Sequence, residues 1–155
     1  MSQQRERESS VLKTWSSAVL LAASASAVGS VARADEPPSI NVVEFKVELN
    51  AKGGQVRCAL FERSGWLKKP VAFKIVKVNG DSALCVMPKI PAGTYGISAF
   101  HDLNSNGKLD TNFVGYPTEP YCASRNARNL FSAPSFDDAK FEYRGGRKRL
   151  EARMK

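Results

Sequence analysis

The spacing of apolar residues along this chain predicts a protein made of short β-strands. Val43, Phe45 and Val47 alternate with polar neighbours, which is the two-residue period of a strand with one buried face. Similar patterns predict further strands over residues 55–63, 71–75, 83–87, 94–100, 113–116, 140–144 and 148–154. Helical periodicity is almost absent. Seven or eight short, mainly antiparallel strands predict an all-β fold, a single β-sandwich of the immunoglobulin-like or prealbumin-like kind.

Two turns that contain glycine suggest which strands are joined as hairpins. Asn79-Gly80 is typical of a tight hairpin turn and would join the third predicted strand to the fourth. Gly145-Gly146 would join the last two strands in a closing hairpin. A helix is the competing interpretation of the final segment, which is rich in charged helix formers. Strict alternation of apolar residues favours a strand there, through Leu150, Ala152 and Met154.

The first 34 residues have the pattern of a secretion signal. Basic residues up to Lys13 precede an apolar, small-residue stretch over residues 15–28, and Ala32-Arg33-Ala34 is typical of a cleavage site. The stretch is too short and too rich in Ala and Ser for a membrane span, which needs about 20 strongly apolar residues. We therefore expect a signal peptide at residues 1–34 and an exported domain at residues 35–155, periplasmic or extracellular, with no membrane span after cleavage.

Net charge bears on the partners of this domain. The whole chain has 23 basic and 15 acidic residues, and residues 35–155 keep 19 and 13 of them, a net charge of +6. The excess lies in a basic tail, residues 144–155. Such a tail is compatible with nucleic acid, but export and the lack of an aromatic-rich platform argue against it. Anionic cell-surface polymers or another envelope protein are the partners that we expect.

Export also determines how the three cysteines are interpreted. In an oxidising compartment a disulfide is the default expectation. Cys58 and Cys85 each lie in an apolar, strand-like run, so we expect them to pair with each other and to leave Cys122 as the odd thiol. The alternative is that all three are small buried hydrophobic residues. A redox role is not expected, because the sequence has no Cys-x-x-Cys motif.

The 102–113 loop is the segment whose sequence most resembles a site. Oxygen-bearing side chains stand at alternate positions, a glycine follows, and another carboxylate comes three residues later. This order is typical of a calcium loop. The expected ligands are the side chains of Asp102, Asn104, Asn106 and Asp110 and the backbone carbonyl of Lys108. Only two of these groups are carboxylates, and Phe113 replaces the bidentate Glu of an EF-hand, so the expected Kd is weak, ~10⁻⁴–10⁻³ M.

The sequence leaves open one addition to this hypothesis and one alternative to it. A further acid from the long connection over residues 117–138 would complete the metal shell, the candidates being Glu119, Asp137 and Asp138. Alternatively the loop is only a strand-to-strand turn. Asn106-Gly107 is a common hairpin tip, and Asp and Asn side chains often bind the local backbone.

Several motifs in the second half of the chain resemble those of a known family. They are the runs at residues 86–95, 99–110, 115–121, 126–128 and 134–141. Together they resemble the uncharacterised secreted bacterial proteins grouped as domain-of-unknown-function family 2141. The resemblance implies an exported β-sandwich related to transthyretin-like and carboxypeptidase-regulatory-like modules, and it implies no activity. The chain departs from the family pattern at Cys122-Ala123 and Arg125, so Cys122 is not expected to have a family-wide role.

No arrangement of catalytic residues can be assembled from the sequence. His101 is the only histidine and is expected to be structural, and no serine lies in a Gly-x-Ser-x-Gly context. We therefore expect a non-enzymatic binding or structural module, stabilised by weak calcium binding. The alternative is a polysaccharide-directed enzyme or carbohydrate-binding domain that uses His101, Asp102 and Asp110.

Overall fold

Eight strands in two sheets make up the domain, in a computed structural model that describes residues 40–129 and 132–155. The strands are β1 (Val42–Glu48), β2 (Gln55–Phe61), β3 (Ala72–Lys77), β4 (Ser82–Pro88), β5 (Gly93–Asp102), β6 (Tyr121–Ala123), β7 (Phe141–Tyr143) and β8 (Arg147–Arg153). One helical turn, α1 (Phe136–Ala139), precedes β7, and 3-10 turns occupy Arg63–Gly65 and Ser124–Asn126. The prediction of an all-β sandwich is confirmed. The predicted signal peptide, residues 1–34, lies outside the described residues.

The smaller sheet has three strands in the order β4-β1-β8. Its central strand, β1, is antiparallel to β4 and parallel to β8. The larger sheet has the order β3-β2-β5-β6, and β7 pairs with the first residues of β5. Pairing within the larger sheet is antiparallel throughout. The strands are therefore mainly antiparallel, as predicted, with one parallel pair.

The core lies between the two sheets and is built from alternate residues of each strand. Val43, Phe45 and Val47 of β1 have no exposed surface, and neither do Val56 and Leu60 of β2. Burying such a side chain is worth about 1.5–3 kcal/mol relative to leaving it exposed. Inward-facing apolar residues therefore hold the two sheets face to face.

A disulfide crosses this core and joins the two sheets. Cys58 of β2 is bonded to Cys85 of β4, with Cα atoms 6.4 Å apart. Both residues lie on inner faces and are buried. Cys122 is buried and is not part of a disulfide. The predicted pairing is therefore confirmed.

Both predicted hairpins are wrong. The turn at Asn79-Gly80 leads from β3 in the larger sheet to β4 in the smaller sheet, and these strands do not pair. Gly145-Gly146 likewise connects β7, which pairs with β5, to β8, which pairs with β1. Both turns are corners between sheets, because the two strands that flank each turn pair with other strands and not with each other. The final segment is a strand, as predicted, and not a helix.

The segment that follows β5 also differs from prediction. Residues 113–116 form a turn, not a strand, and Phe113 is 99% exposed. An isolated bridge between Thr111 and Pro117 closes this turn. The long connection after it contains β6 and α1, which the sequence patterns did not predict. Among the described residues, no helix is long and apolar enough to cross a membrane.

Candidate ligand groove and the 102–113 loop

The outer face of the larger sheet carries a groove whose base consists of two rows of residues across the strands. The register aligns each residue with its neighbours on the adjacent strands. The first row is Ile75, Arg57, Phe100 and Tyr121, and the second row is Phe73, Ala59 and Ser98. We refer to the space above these rows as the groove. The residues of both rows alternate with the buried positions of the same strands, so the groove lies on the side of the sheet opposite the core.

The groove is concave because its centre is built from small side chains. Ala59 and Ser98 are neighbours on β2 and β5, whereas Phe73 stands on the edge strand beside them. Leu67 borders one end of the groove, and Leu109 and Tyr116 border the other. The volume of the groove, which is open on one side, is about 790 Å³, within the range of roughly 300–1,000 Å³ that small-molecule sites occupy.

Apolar side chains on β3 are exposed to solvent inside this groove. Phe73 is 69% exposed and Ile75 is 40% exposed, and Val71 just before the strand is 50% exposed. The alternation that located this strand in the sequence therefore marks its outer face. Its inner face uses Ala72 and Val76, which pack against the core. Contiguous exposed apolar surface beside polar residues is a common feature of binding sites.

The charged side chains that line the groove are basic. Arg57 and Lys68 are among the lining residues, and none of the lining residues that the structure describes is Asp or Glu. The Arg57 guanidinium lies 3.7 Å from the carboxylate of Asp102, and its side chain is 29% exposed. Within the described part of the chain, no hydrogen bond is formed by this guanidinium. Arg57 therefore keeps its hydrogen-bond donors available on the groove side.

Asp102 connects the groove to the 102–113 loop. It is the last residue of β5 and is fully buried. Its carboxylate accepts hydrogen bonds from the Gln55 side chain and from the backbone N–H groups of Asn106 and Gly107, at 2.8–2.9 Å. Burial acts to raise the pKa of Asp102, but these hydrogen bonds, together with the charge of Arg57, outweigh it and lower the pKa. The carboxylate is therefore held ionised and fixes the start of the loop.

The other predicted metal ligands gather around Asp110. Its two carboxylate oxygens accept hydrogen bonds from the side-chain amides of Asn104 and Asn106, at 2.7 and 2.8 Å. The amide oxygens point the other way and accept from the backbone N–H groups of Asn106 and Lys108. These are the local contacts of an Asx-turn. The loop thus satisfies its own polar groups.

Glu119 holds the far side of the same loop. One of its carboxylate oxygens accepts a hydrogen bond from the Leu103 N–H at 2.8 Å, and the other accepts from the Asp110 N–H at 3.1 Å. Glu119 is buried. Of the three acids considered for the metal shell, it is the one whose contacts join it to the loop.

The other two acids make contacts near α1 instead. Asp137 pairs with Arg63 and Lys140, which hold its pKa well below the usual range. Asp138 accepts a hydrogen bond from Ser135, the residue that caps α1. Neither contact is with the 102–113 loop.

The arrangement fits a calcium ion only in part. Three of the expected side chains converge, since the amides of Asn104 and Asn106 both contact Asp110, whereas Asp102 accepts from the backbone N–H of Asn106. Two amide groups present nitrogen, not oxygen, to Asp110, so coordination requires both to rotate. No group of three or more His, Cys, Asp or Glu residues within the described ranges could hold a metal. Calcium binding, which also relies on Asn ligands, stays a prediction.

Three further groups with potential reactivity, His101, Cys122 and Ser124, are buried in the fold. His101 has no exposed surface, and its Nε2 lies 2.7 Å from the Gly53 carbonyl oxygen. Burial raises the pKa of the Cys122 thiol to about 12, so it stays protonated and unreactive near neutral pH. Ser124 is buried, and its hydroxyl contacts the backbone at Ile97 and Ala139. None of these three residues lines the groove.

These features define a disulfide-linked, all-β sandwich domain with a self-bonded loop beside a groove on one sheet. Residues 34–151 match the family described as an uncharacterized protein conserved in bacteria, DUF2141, and the chain belongs to this family. The resemblance noted from the sequence motifs is confirmed. No curated protein and no solved structure matches the chain.

Proposed function

We propose that this protein is an exported, non-enzymatic binding module whose ligand occupies the groove on the larger sheet. The observation that carries the proposal is the outer face of β3, where Phe73 and Ile75 are exposed in a concave space of about 790 Å³. Exposing such side chains to water is unfavourable. A ligand that covers Phe73 and Ile75 removes their apolar surface from water, and the free energy gained contributes to its affinity.

Binding without catalysis is supported by the positions of the reactive groups. The runner-up function, a polysaccharide-directed enzyme, relied on His101, Asp102 and Asp110. His101 and Asp102 are fully buried, and the carboxylate of Asp110 is held by two amides. A general acid or base must reach a substrate proton directly or through one water. Asp102 and Asp110 form hydrogen bonds within the loop, and His101 contacts the Gly53 carbonyl, which favours binding over catalysis.

Export is supported by two independent features. The N-terminal sequence has the pattern of a signal peptide. The Cys58–Cys85 disulfide is of the kind that persists in oxidising compartments and is rare in reducing ones. A periplasmic or extracellular location follows from the proposal.

Weak calcium binding is part of the proposal for the 102–113 loop. The loop borders the groove through Leu109 and Thr111. A bound ion would replace the amide contacts of Asp110 and hold this border in place. It would therefore act on stability, with any effect on ligand binding transmitted through the shape of the loop.

A neutral apolar dye provides the direct test of the groove. Nile red should bind the purified protein with a rise in fluorescence, and octan-1-ol should displace it. Ala59→Trp fills the centre of the groove and should abolish the signal. Val86→Trp is the matched control, because Val86 is partly exposed on β4 of the smaller sheet. Dye binding that survives Ala59→Trp, or that Val86→Trp removes, contradicts the proposal.

A further inference from the structure

We propose that the ligand of the groove is a small amphipathic anion: a carboxylate attached to an unbranched apolar chain. This inference rests on the proposed binding function and names the chemical class of its ligand. It follows from three properties of the groove, which are its charge, its apolar surface and its size.

The charge argument concerns Arg57. Its backbone stands in the first row between Ile75 and Phe100, and its guanidinium reaches the 102–113 loop near Gly107, so an anion that binds it lies at the loop end of the groove. Asp102 approaches the guanidinium from the loop side, at 3.7 Å, and orients it without a hydrogen bond. A guanidinium has five donors in a planar fork that matches a carboxylate. Lys68 is beside Leu67 at the other end of the groove, so Arg57 is the cation that a carboxylate would contact, and none of the described lining residues is Asp or Glu.

The apolar argument concerns the surface beside Arg57. Phe73 and Ala59 lie in the next row and continue toward Leu67. A chain attached to the carboxylate would run along this row and cover the exposed phenyl ring. The two rows offer few polar side chains besides Arg57, namely Ser98 and Tyr121. Further polar side chains, among them Thr111, Asn129 and Ser132, line the groove outside these rows. An alkyl chain that lies along the rows needs no hydrogen-bond partner.

The size argument favours a free small molecule over a membrane or a macromolecule. A space of about 790 Å³ is that of a small-molecule site. Side chains on both ends border it, so a flat bilayer surface would contact the borders before it reached the base. The occupant therefore enters the groove as a separate molecule.

Calorimetry with matched ligands tests the inference. Octanoate, decanoate and octan-1-ol are titrated into the purified protein at concentrations below micelle formation. Octanoate should bind about tenfold more tightly than octan-1-ol because of the added charge-assisted hydrogen bonds. Decanoate should bind about 15-fold more tightly than octanoate, as expected for two more buried methylene groups. The preference for the carboxylate should weaken as salt is added.

Variants of Arg57 locate the anion. Arg57→Gln should remove the preference for octanoate and leave the affinity for octan-1-ol unchanged, whereas Arg57→Lys should retain part of it. Lys46→Gln, on the outer face of the smaller sheet, is the control and should change neither affinity. If Arg57→Gln does not fold, the salt dependence and the octanoate preference of the unmodified protein decide the question.

The outcomes separate this inference from the proposed function. Equal binding of octanoate and octan-1-ol overturns the anion and leaves the groove function standing. Binding of Nile red without an effect of chain length overturns the alkyl chain. Failure of all three ligands and of the dye overturns both proposals. Self-association that buries the groove, detected by sedimentation, would make a second copy the occupant and also overturn the inference.

Discussion

The outer faces of the two sheets differ in the side chains that they expose to solvent. On the smaller sheet, outward-facing charges compensate one another across neighbouring strands. Glu44 of β1 pairs with Arg147 and Arg149 of β8, at 3.0 and 2.8 Å. Glu48 pairs with Arg153, and Lys46 lies 4.0 Å from Glu151. On the larger sheet, the groove presents exposed apolar side chains beside Arg57 and Lys68. Arg57 lies 3.7 Å from Asp102, and none of the described residues that line the groove is Asp or Glu.

This difference shows where a ligand can gain free energy. Charges that are already paired offer little to an incoming group, because a new contact must replace an existing one. The basic tail illustrates the point, since its arginines pair with carboxylates of the domain. Anionic cell-surface polymers as partners of this tail stay a prediction. On the larger sheet, the exposed apolar side chains and the hydrogen-bond donors of Arg57 are what a ligand can contact.

The largest expected effect concerns the Cys58–Cys85 disulfide, which joins the two sheets. Replacing both Cys58 and Cys85 by Ala should lower the free energy of unfolding by roughly 3.5 kcal/mol, from the chain entropy of a loop with a sequence separation of 27. Guanidinium denaturation measures this change. Nile red should still bind the folded variant, because the groove lies on the far side of the larger sheet from the disulfide. Loss of the dye from a folded variant would show that the groove depends on the core.

Removing the buried carboxylate beside the groove should have the next largest effect. Asp102→Ala leaves two backbone N–H groups and the Gln55 amide unpaired, which should cost about 2–4 kcal/mol of stability. Asp102→Asn keeps an acceptor and should cost less. The matched change on the smaller sheet, Glu48→Ala, removes an exposed pair and should cost under about 1 kcal/mol.

The pH dependence of these variants gives an independent check. The folded-state pKa of Asp102 is lowered, so its stabilisation is present above the unfolded value of about 3.9 and is lost as the pH falls through the lower folded value. The stability difference between the unmodified protein and Asp102→Asn should therefore narrow below about pH 4. A constant difference from pH 7 to pH 2 would contradict the role assigned to this carboxylate.

Calcium binding to the 102–113 loop should raise the stability of the fold by a moderate amount. With a Kd of about 10⁻³ M, 10 mM calcium should stabilise the fold by about 1.4 kcal/mol, or roughly 4–5 °C in Tm. Magnesium is the control, and Asp110→Asn should remove the effect. An unchanged Tm together with no heat of calcium binding would refute the metal prediction and leave the loop as a turn.

The smallest expected effect, on octanoate binding, tests whether unpaired cations alone make a binding face. Glu44→Gln frees Arg147 and Arg149 from their shared partner and should cost about 1–2 kcal/mol of stability, because the arginines are more than half exposed but the Glu44 side chain is only 5% exposed. The variant should not acquire measurable affinity for octanoate, since the smaller sheet has no concave apolar space beside these cations. Octanoate binding at this face would show that charge alone is sufficient.

Local patterns in the sequence predicted the strands and the disulfide because each depends on a short run of residues. Period-two alternation located β1, and two cysteines in apolar strands located the bond between sheets. The partners of the strands could not be predicted in the same way. Asn79-Gly80 has the residues of a hairpin turn, yet the pairing of β3 with β2 and of β4 with β1 makes it a corner. Local turn chemistry does not contain that information.

The sequence also identified the loop more readily than the groove. The oxygen-bearing side chains at 102–110 are close together in the chain, so the sequence indicates a site there. In the structure, their contacts are mostly with one another and with the local backbone. The groove brings together Arg57, Ile75 and Phe100 from three strands, which are far apart in sequence. A signal was present at Val71, Phe73 and Ile75. Alternation shows that one face is apolar, but only the strand's neighbours determine whether that face is inside.

A map of backbone amide chemical shifts during an octanoate titration tests the central claim most directly. The account predicts that the largest changes lie on the outer rows of the larger sheet, at Ala59, Ile75 and Ser98, and that the paired face at Lys46 and Val86 does not respond. Changes centred on the smaller sheet, or spread evenly over both faces, would contradict it.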